Sequence, residues 1–408
     1  MWLYQALLVL FTPLILFKIR RFKKTYVHYR AQEALGIWPA VKADLWIHCA
    51  SVGEVLAARP LVLQWREKFP AHRLLITTMT PTGAEQVVKE FPFAEHRYLP
   101  MDWSSSVSRA LKKLDCKHLL IVETELWPNL LKHAKQCGLR IDVVNARLSD
   151  RSFQRYQKFS LVSRPLFKLP DSFLAHAQAD ADRFEALGAK KVLVTGSIKF
   201  DLAVAPEVLQ ANWRRQLGSR FVWMGGSTHH GEDDMLLRIH KVLLQKYPDA
   251  LLILVPRHPE RFDAVYVLAK QSFERVALRS QTPPDQWCDF DVVIGDSMGE
   301  MMNYYQACDV AFVGGSLIKR GGHNPIEPAL LGKAIIVGPH TFNFLDITNQ
   351  LLQVNGAVRC EDEAHLQSAV VTLAGQSSQR YRLGQIALRF AEKNQGAVTR
   401  VLAEIDFR

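Results

Sequence analysis

Cysteine is scarce and scattered. Six occur in 408 residues, at positions 49, 116, 137, 288, 308 and 360, with no Cys-x-x-Cys pair. That spacing excludes a disulfide framework and a structural zinc site, and it points to reduced thiols in a cytosolic setting. Several catalytic signatures are missing too. Without G-x-x-x-x-G-K-[ST] the usual ATP-hydrolysis machinery is excluded, and H-E-x-x-H is absent. No G-x-G-x-x-G follows the first predicted strand, which disfavours a nicotinamide dehydrogenase. The absence of G-x-S-x-G weakens a lipase reading. There is no low-complexity tract and no short repeat. The first 32 residues contain no acid at all, but they hold Lys18, Arg20, Arg21, Lys23, Lys24 and Arg30.

The net charge is +11, so more than half of the excess lies at one end. A basic chain suggests nucleic acid, but here the cluster abuts the apolar run Met1 to Phe17, which points to a membrane surface instead. As a helix that run reaches about 25 Å, the short end of a span, and Gln5, Thr12 and Pro13 weaken it. A signal peptide does not fit, because no basic residue precedes the run and no small-residue cleavage site follows it. The expectation is an N-terminal anchor, spanning or monotopic, with the remainder on the cytoplasmic side. The competing reading is a buried N-terminal helix.

Hydrophobic content of 48% and 408 residues suit two globular domains. Strands are expected at Leu45–Ala50, Leu74–Thr78, His118–Val122, Ile141–Val144, Phe173–His176 and Lys191–Thr195. A second set is expected at Phe221–Gly225, Ala250–Val255, Arg275–Ala277, Val292–Ile294, Val310–Val313 and Ala334–Val337. Helix-length stretches such as Val55–Phe69, Ala84–Phe91 and Met235–Tyr247 lie between them. Strand–helix alternation predicts α/β architecture with parallel sheets. The stretch from about 200 to 219 is the candidate linker between two similar halves facing a cleft.

Chemistry is expected where strands hand over to helices. In residues 312–328, FVGGSLIKRGGHNPIEP, a buried strand stops at Gly314-Gly315, a second glycine pair follows, and Glu327 stands before a short helix at Ala329 to Leu331. Free N–H groups there suit a nucleotide. A carboxylate among them suits sugar hydroxyls or a base edge better than phosphate. Glu54, after Ala50-Ser51-Val52-Gly53, lies at a helix start where the dipole favours its ionised form, so it reads as a base or as a plain capping glutamate. Met79-Thr80-Pro81-Thr82-Gly83 is a phosphate or sugar cradle, or a turn capped by Thr82. Glu123 and Glu125 flank a Trp-bearing loop, with Arg147 an anion ligand or a partner for Glu123. Gly225-Gly226-Ser227-Thr228-His229, before Glu232, Asp233 and Asp234, offers an anion or sugar site. Arg257, after Pro256, is a natural phosphate fork. Gly295 to Glu300 opens another helix, and Asp180-Ala181-Asp182 reads as a solvated helix face rather than a metal pair.

Taken together, SVGE, TTMTPTG, ETELWPN, NARLSDRS, GSIKFD, GGSTHHGE, VPRHPER, GDSMGEM, GGHNPIEPA and GPHTFNF, in this order, resemble the 3-deoxy-D-manno-octulosonic acid (Kdo) transferases that act on lipid A in Gram-negative bacteria. The resemblance runs over the whole chain. It implies two Rossmann-like domains of the glycosyltransferase B type behind an N-terminal anchor helix. Residues 1–24 would be anchor and basic flank, 25–204 the acceptor domain, and 205–408 the donor domain, with the last helix returning to the first. The implied reaction is inverting transfer of Kdo from CMP-Kdo to the 6′-hydroxyl of a tetra-acylated lipid A precursor, in lipopolysaccharide synthesis at the inner membrane. No metal or other cofactor is implied. The implied partners are CMP-Kdo, the lipid A precursor and inner-membrane lipids, and not nucleic acid. Residue by residue, Glu54 matches the general base and Glu123 a second acid that supports an oxocarbenium-like transition state. Pro256, Arg257, Met298, Gly299, Glu300, Asn324, Pro325, Ile326 and Glu327 match the CMP-binding segments, with Arg257 on the departing phosphate and Glu327 on the ribose. His229 and His323 are donor or acceptor contacts, or loop packing. An exposed apolar patch on the first domain, near the anchor, is expected, because acyl chains stay in the membrane during transfer. Two other readings stand beside this one: a UDP-sugar 2-epimerase of the same fold, and an inactive anchored scaffold.

Overall fold

The structure, a computed structural model, describes residues 2–405. The chain divides into two units, Met1–Asp201 with Gln395–Arg408, and Leu202–Asn394. The first unit contains α1 (Trp2–Thr25), β1 (Leu45–His48), α2 (Val52–Lys68), β2 (Leu74–Thr78), β3 (Glu95–Tyr98), β4 (His118–Val122), α3 (Pro128–Gln136), β5 (Arg140–Ala146), α4 (Asp150–Lys158), α5 (Ser160–Phe167), β6 (Ser172–Ala175) and β7 (Val192–Val194). The second contains β8 (Val222–Thr228), α6 (Glu232–Lys246), β9 (Leu251–Pro256), β10 (Val276–Leu278), β11 (Val292–Ile294), β12 (Val310–Val313), α7 (Ile326–Leu330), β13 (Ala334–Val337) and β14 (Ala357–Arg359). The final helix, α8 (Ala397–Glu404), belongs to the first unit.

Each unit is built on one seven-stranded sheet with all neighbours parallel, in the order β3-β2-β1-β4-β5-β6-β7 and β10-β11-β9-β8-β12-β13-β14. Central strands such as β1 (LWIH) and β12 (VAFV) are buried throughout because helices cover both faces. Strand order reverses between β1 and β4 in the first sheet and between β8 and β12 in the second. Crevices at such switch points, outside the carboxyl ends of the strands, are where this architecture holds ligands.

Strands β2, β4, β11, β12 and β13 fall where the sequence places them. Two strands of the seven-stranded sheets escaped it, as did the small parallel pair Val41–Lys42 and Leu114–Asp115. β3 reads EHRY, an edge strand with half-exposed Glu95 and Arg97, and β14 has only three residues. β8 runs to Thr228 rather than Gly225, because a bulge at Ser227, which has a positive φ of 57°, keeps it paired past the glycines. The helix after the Asn324-Pro325 turn starts at Ile326, not Ala329.

The α1 helix has two apolar sides. Ile15, Ile19, Phe22 and Tyr26 pack with Tyr29, Ala34, Ala84 and Tyr98 of its own unit. Leu7, Leu10, Leu14 and Phe17, at helical spacing, are exposed. The N-terminal end is fastened by Tyr4 Oη donating to Asp102 (2.7 Å) and Gln5 Nε2 to Asn129 (2.5 Å). Among the described residues no helix is long and apolar enough to cross a membrane.

Candidate active site

In the first unit the carboxyl edge at the switch point gathers three carboxylates. The extended N-cap, Ser51, turns the chain from β1 into α2 and places Glu54 in the first turn. Glu54 is only 8% exposed. Its carboxylate accepts from the Ala50 N–H (2.6 Å) and the Ser51 hydroxyl (2.9 Å). Burial pushes its pKa up to about 7. The two hydrogen bonds pull the other way, and the nearby charges of Glu123 and Glu125 push further up. The electrostatics differ from the dipole argument: desolvation outweighs the helix terminus, and the Glu54 pKa is raised toward neutrality instead of being held low.

Glu123 ends β4 with φ at +62°, a left-handed conformation that is strained for any residue with a Cβ. Its N–H donates to the Val144 carbonyl, so the kink is built into the pairing with β5. Lys199, in the short turn Ile198–Phe200, pairs with it at 3.1 Å. Sequence reasoning offered Arg147 as an anion ligand or as a partner for Glu123 and gave Lys199 no role, although Lys199 lies in the quoted GSIKFD string. Burial and then the Glu123 charge also raise the Glu125 carboxyl.

Other expectations resolve structurally. Thr80, not Thr82, caps the helix after β2, accepting from Gly83 N–H at 3.1 Å. Asp180 is buried rather than solvated and accepts from the Leu148 N–H at 2.8 Å. Asp102 caps α3 from another loop, accepting from the Asn129 and Leu130 N–H groups at 2.9 and 2.8 Å.

In the second unit the nucleotide candidates sit at the carboxyl ends of three strands of one sheet: Pro256 ends β9 and Arg257 follows it, Met298 to Glu300 follow the neighbouring β11, and Asn324 to Glu327 follow β12, with β8 between β9 and β12. Arg257, Met298 and Gly299 are exposed. Glu300 is held by Arg279 at 2.9 Å and by the Ser297 hydroxyl. Asn324 Oδ1 accepts from the Ile326 N–H (3.0 Å), and its amide reaches Glu327 at 3.3 Å. Pro325 leads this turn into α7.

The glycine-loop amides are largely engaged within the protein. Glu232, fully buried, accepts from the N–H groups of His229 (3.0 Å), Gly315 (2.7 Å) and Leu317 (3.2 Å). Asp233 takes the Thr228 hydroxyl (2.6 Å) and Arg261. The acids expected to frame an anion site on α6 thus turn inward and stitch the β8 and β12 loops together. Cationic side chains stand close to these loops, with Arg257, Arg261 and Arg320 near His229. His229 and His323 stack with their Nε2 atoms 2.9 Å apart. Burial lowers their pKa values to about 4 and about 3, and the charges of Arg257, Arg261, Arg320 and His258 around His229, and of Arg257 around His323, lower them further.

A model of the family described as 3-Deoxy-D-manno-octulosonic-acid transferase (kdotransferase) matches residues 20–202. The chain is 38% identical over 421 residues to the 3-deoxy-D-manno-octulosonic acid transferase of Haemophilus influenzae, covering 98% of this chain and 97% of that one. It is 32% identical over 378 residues to the enzyme of the same name from Bordetella pertussis, covering 89% and 87%. Among solved structures, the UDP-GlcNAc 2-epimerase of Neisseria meningitidis bound to UDP-GlcNAc shares the fold, with a TM-score of 0.57 at 12% identity over 89% of this chain and 99% of that one. That likeness speaks for parallel α/β architecture and not for activity. Sequence identity at this level over nearly the full length of both chains is another matter, and it shows that the chain belongs to the 3-deoxy-D-manno-octulosonic acid (Kdo) transferases and is a glycosyltransferase.

Proposed function

We propose that the chain moves Kdo from CMP-Kdo to the 6′-hydroxyl of a tetra-acylated lipid A precursor, with inversion at the anomeric carbon, in lipopolysaccharide synthesis. Glu54 takes the proton of the acceptor hydroxyl as that oxygen bonds to the anomeric carbon and the bond to CMP breaks. Glu123, held by Lys199, supports the positive charge that develops on the sugar ring. Arg257 receives the departing CMP phosphate and Glu327 the ribose hydroxyls, with Pro256, Met298 to Glu300 and Asn324 to Ile326 completing the CMP site. No metal is needed for this scheme, so turnover should survive a chelator.

One observation carries the reading: a carboxylate fixed by two hydrogen bonds at a strand–helix junction, with its pKa raised to about 7. A base poised near the working pH contributes about 10²–10⁴-fold to a proton-transfer step. The exposed apolar stripe of α1 and the basic run behind it support a seat at the cytoplasmic face of the inner membrane, with the helix lying in the interface. Purified chain, CMP-Kdo and lipid precursor, with the products followed by mass spectrometry, test the assignment. Addition of Kdo by the native chain and none by Glu54→Ala, which still binds CMP in calorimetry, is expected. Tighter binding of UDP than CMP would favour an epimerase-type donor instead.

A further inference from the structure

The α4–α5 elbow of the first unit exposes apolar side chains that the transfer scheme leaves unused. Phe159 (59%), Leu161 (94%) and Val162 (53%) stand in solvent where the two helices join. They are not slack. The Ser163 hydroxyl donates to the Tyr156 carbonyl at 2.7 Å, and the Tyr156 ring packs edge-on against Phe167 at 5.0 Å. Phe167 is itself buried against Phe173 and Phe184. The core side of α4 is Phe153 and Tyr156. Basic residues collar the tip. Arg151, Arg155 and Lys158 follow at four and three residues along α4, one stripe of that helix. Arg164 and Lys168 share the side of Leu161 on α5 and its cap. All five are exposed, and none is ion-paired among the described residues. The one acid of the segment, Asp150, is engaged by Arg183 at 2.7 Å.

We propose that this elbow is a second membrane contact, inserting Phe159, Leu161 and Val162 into the headgroup region of an anionic bilayer while its five cations meet the lipid phosphates. The charge pattern selects this occupant. A protein partner would need an acidic rim around an apolar socket, whereas an anionic lipid surface presents negative headgroups directly above acyl chains. The elbow also lies close to the acid site, because Tyr156 feels the charge of Glu125. A lipid-embedded acceptor lifted at this point arrives beside Glu125 without leaving the membrane.

The test needs neither donor nor acceptor, so it stands or falls apart from the Kdo reading. The full-length chain is mixed with vesicles of phosphatidylcholine, with or without phosphatidylglycerol. Hydrogen exchange is followed over residues 156–167, and binding is measured by co-sedimentation. Slower exchange in the elbow with anionic vesicles only is expected. Arg155→Glu with Lys158→Glu should weaken binding by about fivefold for each charge removed. Leu161→Asp should weaken it by about tenfold. Unchanged exchange in the native elbow on vesicles that do bind the chain would overturn the proposal, because α1 alone would then account for binding. So would variants that bind like the native chain with unchanged melting temperature. If a variant melts early, the exchange measurement on the native chain decides.

Discussion

The Glu54 carboxyl accepts two hydrogen bonds that favour its ionised form, yet burial and two neighbouring acids raise its pKa to about 7. A general base must be deprotonated to act, so transfer is expected to rise with pH through about 7 and to fall away on the acid side. The neighbouring acids sharpen this into a specific expectation. Glu125 adds negative charge beside Glu54 without touching it by hydrogen bond. In Glu125→Gln the acid limb of the pH–rate profile should therefore move to lower pH, with the alkaline rate little changed. A limb that stays in place would show that the Glu125 charge does not help set the Glu54 value. Glu123 carries a different mark of use. A glutamate at φ +62° costs about 1 kcal/mol relative to glycine, and such strain is concentrated at sites where a side chain must be aimed. The type of each acid and its place at a strand end were legible in the sequence. The partner of Glu123 was not, because Lys199 comes from a turn 76 positions later and no local pattern encodes that approach.

Among the elements, the end of β8 and the loop after β12 carry the proposed donor side, and close backbone approach holds them together. A Cβ on Gly314 would lie 2.5 Å from the Ser227 carbonyl oxygen and 2.7 Å from that of Gly226, both backbone atoms that cannot step aside. Gly314→Ala is expected to destabilise the second unit by about 3 kcal/mol and to abolish CMP binding. A variant that melts and binds like the native chain would show that the loops yield. Apolar strands bounded by glycine or charge, such as His118–Val122 and Val310–Val313, could be read directly, because burial on both faces demands an uninterrupted apolar run. The EHRY strand at the sheet edge could not, since only one of its faces is covered. Glu232 was misread for a related reason. Its position at the start of α6 suggested a ligand site, whereas its carboxylate accepts from three loop amides, those of His229, Gly315 and Leu317.

At the scale of the molecule, the first unit is completed by the end of the chain. Ala397, Val398, Val401, Leu402 and Ile405 are buried in its core, and Asp201 receives the N–H groups of Gly396 (2.5 Å) and Val398 at the start of α8. Truncation after Asn394 should lower the stability of the first unit by roughly 5 kcal/mol or more, from lost apolar burial, while the second unit still binds CMP. Two calorimetric transitions, of which only one moves, would be the signature; loss of both would mean the units do not melt independently. The charge of +11 is weighted toward the N-terminal helix, and the basic elbow adds to it; under the proposed function both would draw the chain toward an anionic lipid surface. The most direct measurement for the whole account is the single-turnover rate of Kdo transfer to the lipid precursor by native chain and Glu54→Gln between about pH 5 and 9. The account predicts a native rate that climbs through about pH 7 and a variant slower by about 10²–10⁴-fold, without that climb, at unchanged CMP affinity. A variant that turns over at near-native rate with the same pH dependence would contradict it.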